Sequence, residues 1–392
     1  MAADSVPTTE ERGLLMEFRM ERGALADAVA WAARVLPARS PAPVLGGLLL
    51  EARAGGLLRV SGLDHEASAR IEVEADVEQP GQVLVLGRRL LDICRVLPGG
   101  TVRCALDGGR FAMSSAGARF GMSLLPCEER PAIPALPEFC GAVDAEVFAA
   151  AVAHVAVAAG RDDSLPVLTG IRLSVDGETM TLAATDRYRY AVRTLGWKPL
   201  SPQASADVVV PARRLSDIAR SLDRSGTVRI ALDGGTIGFD NAGMRLSTRL
   251  LDGRLPRHDK LFALPGGAVA LTARAPLLEA VKRVSVVAEG DSPLQLSFSA
   301  DSVRLHAGYE DDVASQQLPA ALEGAPEMTV AFNPSYLVDA LSSFDTDSVR
   351  FRLLGPGQRA LLSAAADTGT RPAGDAGQHS HQHLLMSVKS PA

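Results

Sequence analysis

His379, His381 and His383 read H-x-H-x-H, a run of imidazoles of the kind that binds metal ions. The surrounding stretch is small and polar, and no cysteine or carboxylate stands at ligand spacing, so the run reads as incidental and no metal is expected. Asp162 and Asp163 are adjacent acids in a loop and read as solvated, not catalytic. Walker A, G-x-S-x-G, H-E-x-x-H and G-x-G-x-x-G motifs in strand–helix context are missing. Cys94, Cys104, Cys127 and Cys140 form no C-x-x-C pair and read as small apolar residues kept reduced, ahead of disulfides or zinc. No catalytic residue and no cofactor is expected.

What does recur is arginine. Arg89, Asp92 and Arg95 return as Arg214, Asp217 and Arg220, each 125 positions on. After one inserted residue, Leu106 to Gly109 (LDGG) returns as Leu232 to Gly235, and Gly117 as Gly243. A fainter third copy begins near Val330 with AFNPSYLVDALSSF. A repeat of about 120 residues exceeds solenoid units of roughly 20–50 residues and implies a whole domain present three times.

The elements that must position these residues follow the same repeat. Leu25, Ala28, Val29 and Ala32 fall at i, i+3, i+4 and i+7, one apolar face of a helix. Phe148, Ala151, Val152, Val155 and Leu277, Ala280, Val281, Val284 repeat that template. A second helix per copy carries Leu90, Ile93, Cys94, Leu97, then Leu215, Ile218, Ala219, Leu222, then Leu337, Ala340, Leu341, Phe344. Short alternating runs such as TVRCAL and RFAMS lie between, with Asp107-Gly108 and Asp233-Gly234 as hairpin signals. Each copy therefore spells strand, helix, three strands, and the same again. Helices on one face of antiparallel sheet make the fold class α+β. Pro-rich joints at 131–137 and around Pro265 to Gly267 separate copies spanning 14–136, 139–262 and 266–390. Residues 1–13 and 364–381 read as mobile.

Apolar residues make up 47% of the chain, enough for three cores, and only 4% are aromatic, so Leu, Val, Ile and Ala must fill them. The net charge of −6 does not advertise a nucleic-acid binder, yet an average conceals a basic lining inside an acidic shell. The first residues lack the apolar core of a secretory signal, and no apolar run reaches the roughly 18–20 residues of a membrane span. A cytoplasmic protein is expected.

With the copies placed, the chain resembles the bacterial DNA polymerase III β subunit family, the β sliding clamps, over nearly its whole length. The likeness rests on ARSPAPVLGGLLL (38–50), LLDICRVLPGG, AATDRYRYAV (183–192), LLDGRLP (250–256), AFNPSYLVDAL (331–341) and LLMSVK, all in the family's order. GRDDSLPVLTGIRL and the alanine-rich helices resemble the actinobacterial branch. The resemblance implies three tandem clamp domains, a head-to-tail homodimeric ring, helices lining the hole, and a nucleoid-associated processivity role without chemistry. Its partners would be duplex DNA without sequence preference, polymerase subunits, the clamp loader and repair proteins.

Encircling DNA needs cations facing phosphates and no base readout. Arg95 and Arg220 lie on the side of their helices away from the core, and Arg88, Arg89, Arg213, Arg214 and Arg224 flank them. The first helices offer Arg34, Lys282 and Arg283. Arg39 matches a family position that touches duplex DNA. The third copy's second helix carries Ser335 and Ser342 instead, an uneven lining. Any one of these cations is also what an ordinary solvated helix face would carry.

The resemblance further implies a partner-peptide pocket between the second and third copies. The matching residues are Leu168, Thr185, Arg187, Tyr188, Arg189 and Tyr190, with Pro256 and Leu261 from the next segment. The C-terminal stretch adds Leu384, Leu385, Met386, Ser387, Val388 and Lys389. Read alone, Thr185-Asp186 is a strand-end turn and Leu384 to Met386 a buried strand. Departures are visible: Ser387 replaces a usual Pro and is expected to loosen the end, Lys389 replaces an Arg, and Tyr190 replaces a Leu. Arg257-His258-Asp259-Lys260 stands where an aromatic and an arginine are usual. The alternative is a specialised second-copy clamp, serving a repair polymerase or tolerating a clamp-binding inhibitor.

Overall fold

The Glu21 carboxylate accepts a hydrogen bond from the Gly23 N–H and starts α1 (Arg22–Ala32), whose buried face is Leu25, Ala28, Val29 and Ala32 with Trp31. In α2 (Gly87–Val96), Leu90 and Cys94 are buried, Leu97 packs just beyond the helix end, and Ile93 is half-buried. Asp144 accepts from the Val147 N–H at 3.0 Å and starts α3 (Ala145–Ala156), which buries Phe148, Ala151, Val152 and Val155. Along α4 (Ala212–Ser221), Leu215, Ile218 and Ala219 are buried, but the helix stops before Leu222, which is only half-buried. A four-residue turn unforeseen in the sequence, α5 (Asp259–Phe262), precedes α6 (Arg274–Val284). The last helix, α7 (Pro334–Ser342), starts at Asn333, whose side chain accepts from the Ser335 N–H at 2.9 Å, and Pro334 opens its first turn.

The computed structural model describes residues 16–37, 42–107, 109–288, 292–309, 312–365 and 380–389. The chain divides into two compact units, Met1–Cys140 with Gly226–Arg249, and Gly141–Ser225 with Leu250–Ala392. The second copy is thus shared: its last three strands belong to the first unit and the rest to the second.

In the first unit twelve strands pair in the order 227–232, 236–241, 244–249, 67–74, 57–63, 47–53, 81–86, 118–125, 110–115, 101–107, 17–21 and 76–79. In the second, twelve pair in the order 205–211, 170–176, 179–185, 189–196, 381–386, 359–364, 348–353, 268–273, 312–323, 302–309, 294–298 and 328–332. Every pairing in both is antiparallel. α1 packs on α2, α3 on α4 and α6 on α7.

One rule joins the copies. The last strand of the second copy lies on the fourth strand of the first, with Met244 opposite Ile71 and Ser247 opposite Ser68. The last strand of the third lies on the fourth of the second, with His381 opposite Arg193 and Leu384 opposite Tyr190. The fourth strand of the third copy, Asp312–Glu323, and the last strand of the first, Ala118–Leu125, have no such partner among the described residues.

Candidate functional site

The hairpin turn between strands 179–185 and 189–196 is the centre of the site. The Thr185 hydroxyl donates to the Arg189 carbonyl at 2.6 Å and accepts from the Arg187 N–H at 3.2 Å. Asp186 accepts from the N–H groups of Tyr188 and Arg189, each at 3.1 Å. These bonds hold Arg187 at φ +84°, a left-handed backbone that favours glycine. The turn projects Arg187 and Tyr188 outward and turns Arg189 in.

Arg189 is buried. It donates from Nε to Asp186 Oδ2 at 2.9 Å and from a terminal nitrogen to Asp339 Oδ2 at 2.6 Å. Its guanidinium lies 4.4 Å from the centre of the Tyr336 ring, on which Tyr188 also stacks at 6.4 Å. A cavity of about 440 Å³ opens beside them, lined by Arg187, Tyr188, Arg189, Leu165, Leu168, Arg161, Asp162, Tyr336 and Asp339 among others. Aromatic faces, a fixed cation and carboxylates around one hollow suit an amphipathic guest.

Tyr190, Pro256, Leu261 and Leu384 come together differently. Tyr190 is buried, and its hydroxyl donates to the Pro256 carbonyl at 2.6 Å. Its ring meets Phe262 edge-on at 5.6 Å and packs with Leu384, Leu361, Leu264 and Val192, with Leu261 at the margin. Burial pushes the Tyr190 phenol up to about 12, so it stays a donor at neutral pH. The apolar space between these walls is occupied by the chain's own tyrosine. Phe262 of α5 also meets the His258 ring edge-on at 5.5 Å.

The C-terminal stretch is anchored, contrary to the loosening expected from Ser387 in place of Pro. The Ser387 N–H, which a proline would lack, donates to the Gln358 carbonyl at 2.9 Å. Its hydroxyl donates to that carbonyl at 2.7 Å, and the Val388 N–H donates to Ala331 at 2.8 Å. Met386 is part-exposed and donates its N–H to the Tyr188 carbonyl. Lys389 is exposed beside Gly357, and Leu385 belongs to the third copy's core instead of the cavity.

His381 and His383 are not in a polar loop, as expected, but on the strand His381–Met386, both buried; His379 lies outside the described residues. Among the described residues no group of three or more His, Cys, Asp or Glu is arranged to hold a metal. Burial raises the thiols of Cys94, to about 12, and of Cys104, Cys127 and Cys140, and all four are free.

The helix cations are exposed at their positions: Arg34 after α1, Arg88, Arg89 and Arg95 on α2, Arg213 and Arg220 on α4, Arg224 beyond it, and Lys282 and Arg283 on α6. Several have local partners, Arg95 with Asp92 at 3.6 Å, Arg220 with Asp217 at 2.5 Å and Lys282 with Glu279 at 3.0 Å. Such exposed i,i+3 pairs are weak and leave the cations available to phosphate. Arg39 lies outside the described residues.

Sequence reasoning missed Tyr336, Asp339, Phe262 and the site role of Asp186. Tyr336 and Asp339 lie inside the AFNPSYLVDAL motif and Asp186 inside AATDRYRYAV, so the signal was present without the pairing that gives it meaning.

Three family models match in chain order: the DNA polymerase III beta subunit N-terminal domain over residues 16–134, the central domain over 142–257 and the C-terminal domain over 265–373. The beta sliding clamp of Streptomyces coelicolor is 48% identical over 95% of this chain and 99% of its own length. The beta sliding clamp homolog GriR of Streptomyces muensis is 41% identical over 91% and 97%. Among solved structures, the DNA polymerase III subunit beta of Pseudomonas aeruginosa superposes with a TM-score of 0.84 at 25% identity, covering 95% of this chain and 100% of that one. A sliding clamp from the same organism bound to griselimycin gives a TM-score of 0.86 at 25% identity, covering 95% and 99%.

Proposed function

The chain belongs to the DNA polymerase III β subunit family of DNA sliding clamps, and on that premise we propose that two copies close head to tail around duplex DNA. The ring tethers the replicative polymerase without catalysing anything itself, working on the nucleoid in the cytoplasm. The domains span 14–136, 139–262 and 266–390. No helix among the described residues is long and apolar enough to cross a membrane, consistent with that location.

The observation that carries the ring is the joining rule of the sheets. At both internal junctions the residue just after the third–fourth strand turn, Ser68 or Tyr190, faces Ser247 or Leu384 in the next copy. By the same turn, Gly308 opposite Val313, the equivalent residue of the third copy is Val313. Gly121 aligns with Ser247, 126 positions earlier, as Gly117 does with Gly243. A second copy then pairs its Gly121 with Val313, its Phe120 with Ala314 and its Ala118 with Gln316.

The surfaces suit that pairing. Val313 is 53% and Val286 82% exposed, unusual for valines in a folded domain. A cleft of about 830 Å³ beside the Phe120 strand is lined by Leu86, Ile93, Val96 and Phe120. A heterologous contact of this kind closes a ring when its rotation fits. The exposed cations on α2, α4 and α6, with Arg34 just after α1 and Arg224 just after α4, then serve sequence-independent contact with phosphates.

Partner peptides of polymerases, clamp loader and repair proteins enter the cavity beside Tyr336 and compete with Tyr190 for the apolar space next to it. The filled space favours a second reading as well, a clamp specialised in its partners or tolerant of a pocket-directed inhibitor.

Light scattering tests the ring, with twice the 41.1 kDa chain mass expected. Val313→Cys combined with Gly121→Cys should cross-link chains under mild oxidant, while each single variant should not. A monomer at micromolar concentration, or cross-links independent of the second cysteine, would overturn it.

A further inference from the structure

The junction inside the first unit repeats the architecture of the pocket junction with different chemistry. Ser68 lies opposite Ser247 and Arg70 opposite Arg245, at the places that Tyr190 with Leu384 and Val192 with Gln382 take in the second unit. The joint between copies walls this face and leaves a cavity of about 300 Å³ between Arg70, Arg245, Ser68, Ile133, Leu136 and Phe139. The joint is seated against the sheet: a Cβ on Gly238 would come within 2.7 Å of Leu136 Cδ2, so a larger residue there would make the Leu136 side chain shift.

Like charges directly opposite on antiparallel strands repel. Arg245 finds Asp240 at 2.9 Å, but Asp240 is shared with Arg229 at 2.9 Å, whose guanidinium lies 4.3 Å from the centre of the Phe139 ring. Arg70 has no hydrogen bond or ion pair among the described residues, and its Nε is buried without a partner. The carboxylates nearest it, Glu51 and Glu72, are already engaged by Arg59. Arg229, Asp240, Arg245 and Arg70 stand opposite one another in one cross-strand row. Three guanidiniums therefore share it with a single carboxylate, which pairs with Arg229 and Arg245 and leaves Arg70 at the end of the row, in a chain whose net charge is −6. An unpartnered buried donor costs stability unless something accepts from it.

We propose that this cleft is a second peptide site, taking a short segment of a partner protein in which a carboxylate stands beside an apolar side chain. The carboxylate bridges Arg70 and Arg245, relieving their repulsion and satisfying the Arg70 Nε. The apolar side chain lies against Ile133, Leu136 and Phe139. The cleft shares no residue with the Tyr190 pocket, so the two sites bind independently.

The test is fluorescence anisotropy of a labelled hexapeptide, Gly-Ser-Glu-Leu-Glu-Phe with a free C-terminus, on the full-length protein. Its counterpart carries Gln for both Glu and an amidated end. The acidic peptide should bind saturably and lose affinity with added salt. It should weaken about tenfold or more in the Arg70→Gln, Arg245→Gln double variant and bind unchanged in Tyr190→Leu. It should also raise the thermal midpoint of the wild type but not of the double variant, which checks that the variant is folded. Equal binding to wild type and double variant, equal binding of the neutral counterpart, or no saturation up to about 1 mM would overturn the proposal.

Discussion

The hydroxyl of Tyr190 donates to the carbonyl of Pro256 at 2.6 Å, so one side chain both fills the apolar space of the site and latches the segment that walls it. A guest needing that space must break the bond and displace the ring from Phe262 and Leu384. The bond is worth about 1 kcal/mol and the aromatic contact about 0.5–1.5 kcal/mol.

Tyr190→Leu should therefore bind a clamp-motif peptide about ten- to fiftyfold more tightly than the wild type, from the sum of those terms. Titration calorimetry on both proteins measures this. Equal affinities would mean that Tyr190 does not compete for the space.

Arg187 holds φ +84° at the lip of the cavity. A left-handed backbone costs a non-glycine residue about 1–2 kcal/mol, while glycine adds about 0.5–1 kcal/mol of unfolded-state entropy. Arg187→Gly should stabilise the protein by up to about 1.5 kcal/mol, read as a higher urea midpoint. If the arginine contributes to peptide capture, the same variant binds the clamp-motif peptide less well. Lower stability would show that Arg187 makes compensating contacts.

Below pH 6.5 the second unit should weaken. His381 is lowered to about 3 by burial first, then by His154 and Arg193. His383, fully buried and facing His381 and Arg189, is held well below the ordinary histidine range. His154 is lowered by burial against the opposing pull of Asp345. The unfolded chain takes up protons near pH 6.5 that the folded chain refuses, so stability present above that pH is lost as it falls. At pH 5 the loss is about 2 kcal/mol for His381, and His154 and His383 add to it in the same direction. His383→Phe should shrink the difference between urea midpoints at pH 7.5 and 5.0, and an unchanged difference would place the acid sensitivity elsewhere.

The repeat made much of this fold legible. Four of the six repeated helices, α1, α3, α6 and α7, bury the faces that the 3.6-residue spacing marks, and α2 and α4 bury most of theirs, with Ile93 only half-buried. Each face is set by local side-chain order, and each copy repeats it. The helix ends were less legible: Leu222 follows the apolar pattern but lies past the stop of α4. The site was readable one side at a time. AATDRYRYAV marks the hairpin, yet nothing local announces that Arg189 reaches Asp339, 150 residues on, or that Tyr190 points in and latches Pro256. His381 misled for the same reason. Its polar neighbours suggest a loop, and only pairing with Arg193 draws it into a strand, where its ring packs on Phe344.

The most direct measurement is topological retention on DNA. The Val313→Cys, Gly121→Cys dimer, loaded onto nicked circular plasmid and then oxidised, should remain with the plasmid through high salt and denaturing detergent, and should be released once the plasmid is cut. Retention that ignores linearisation, or loss of the cross-linked dimer from the intact circle, would contradict encirclement.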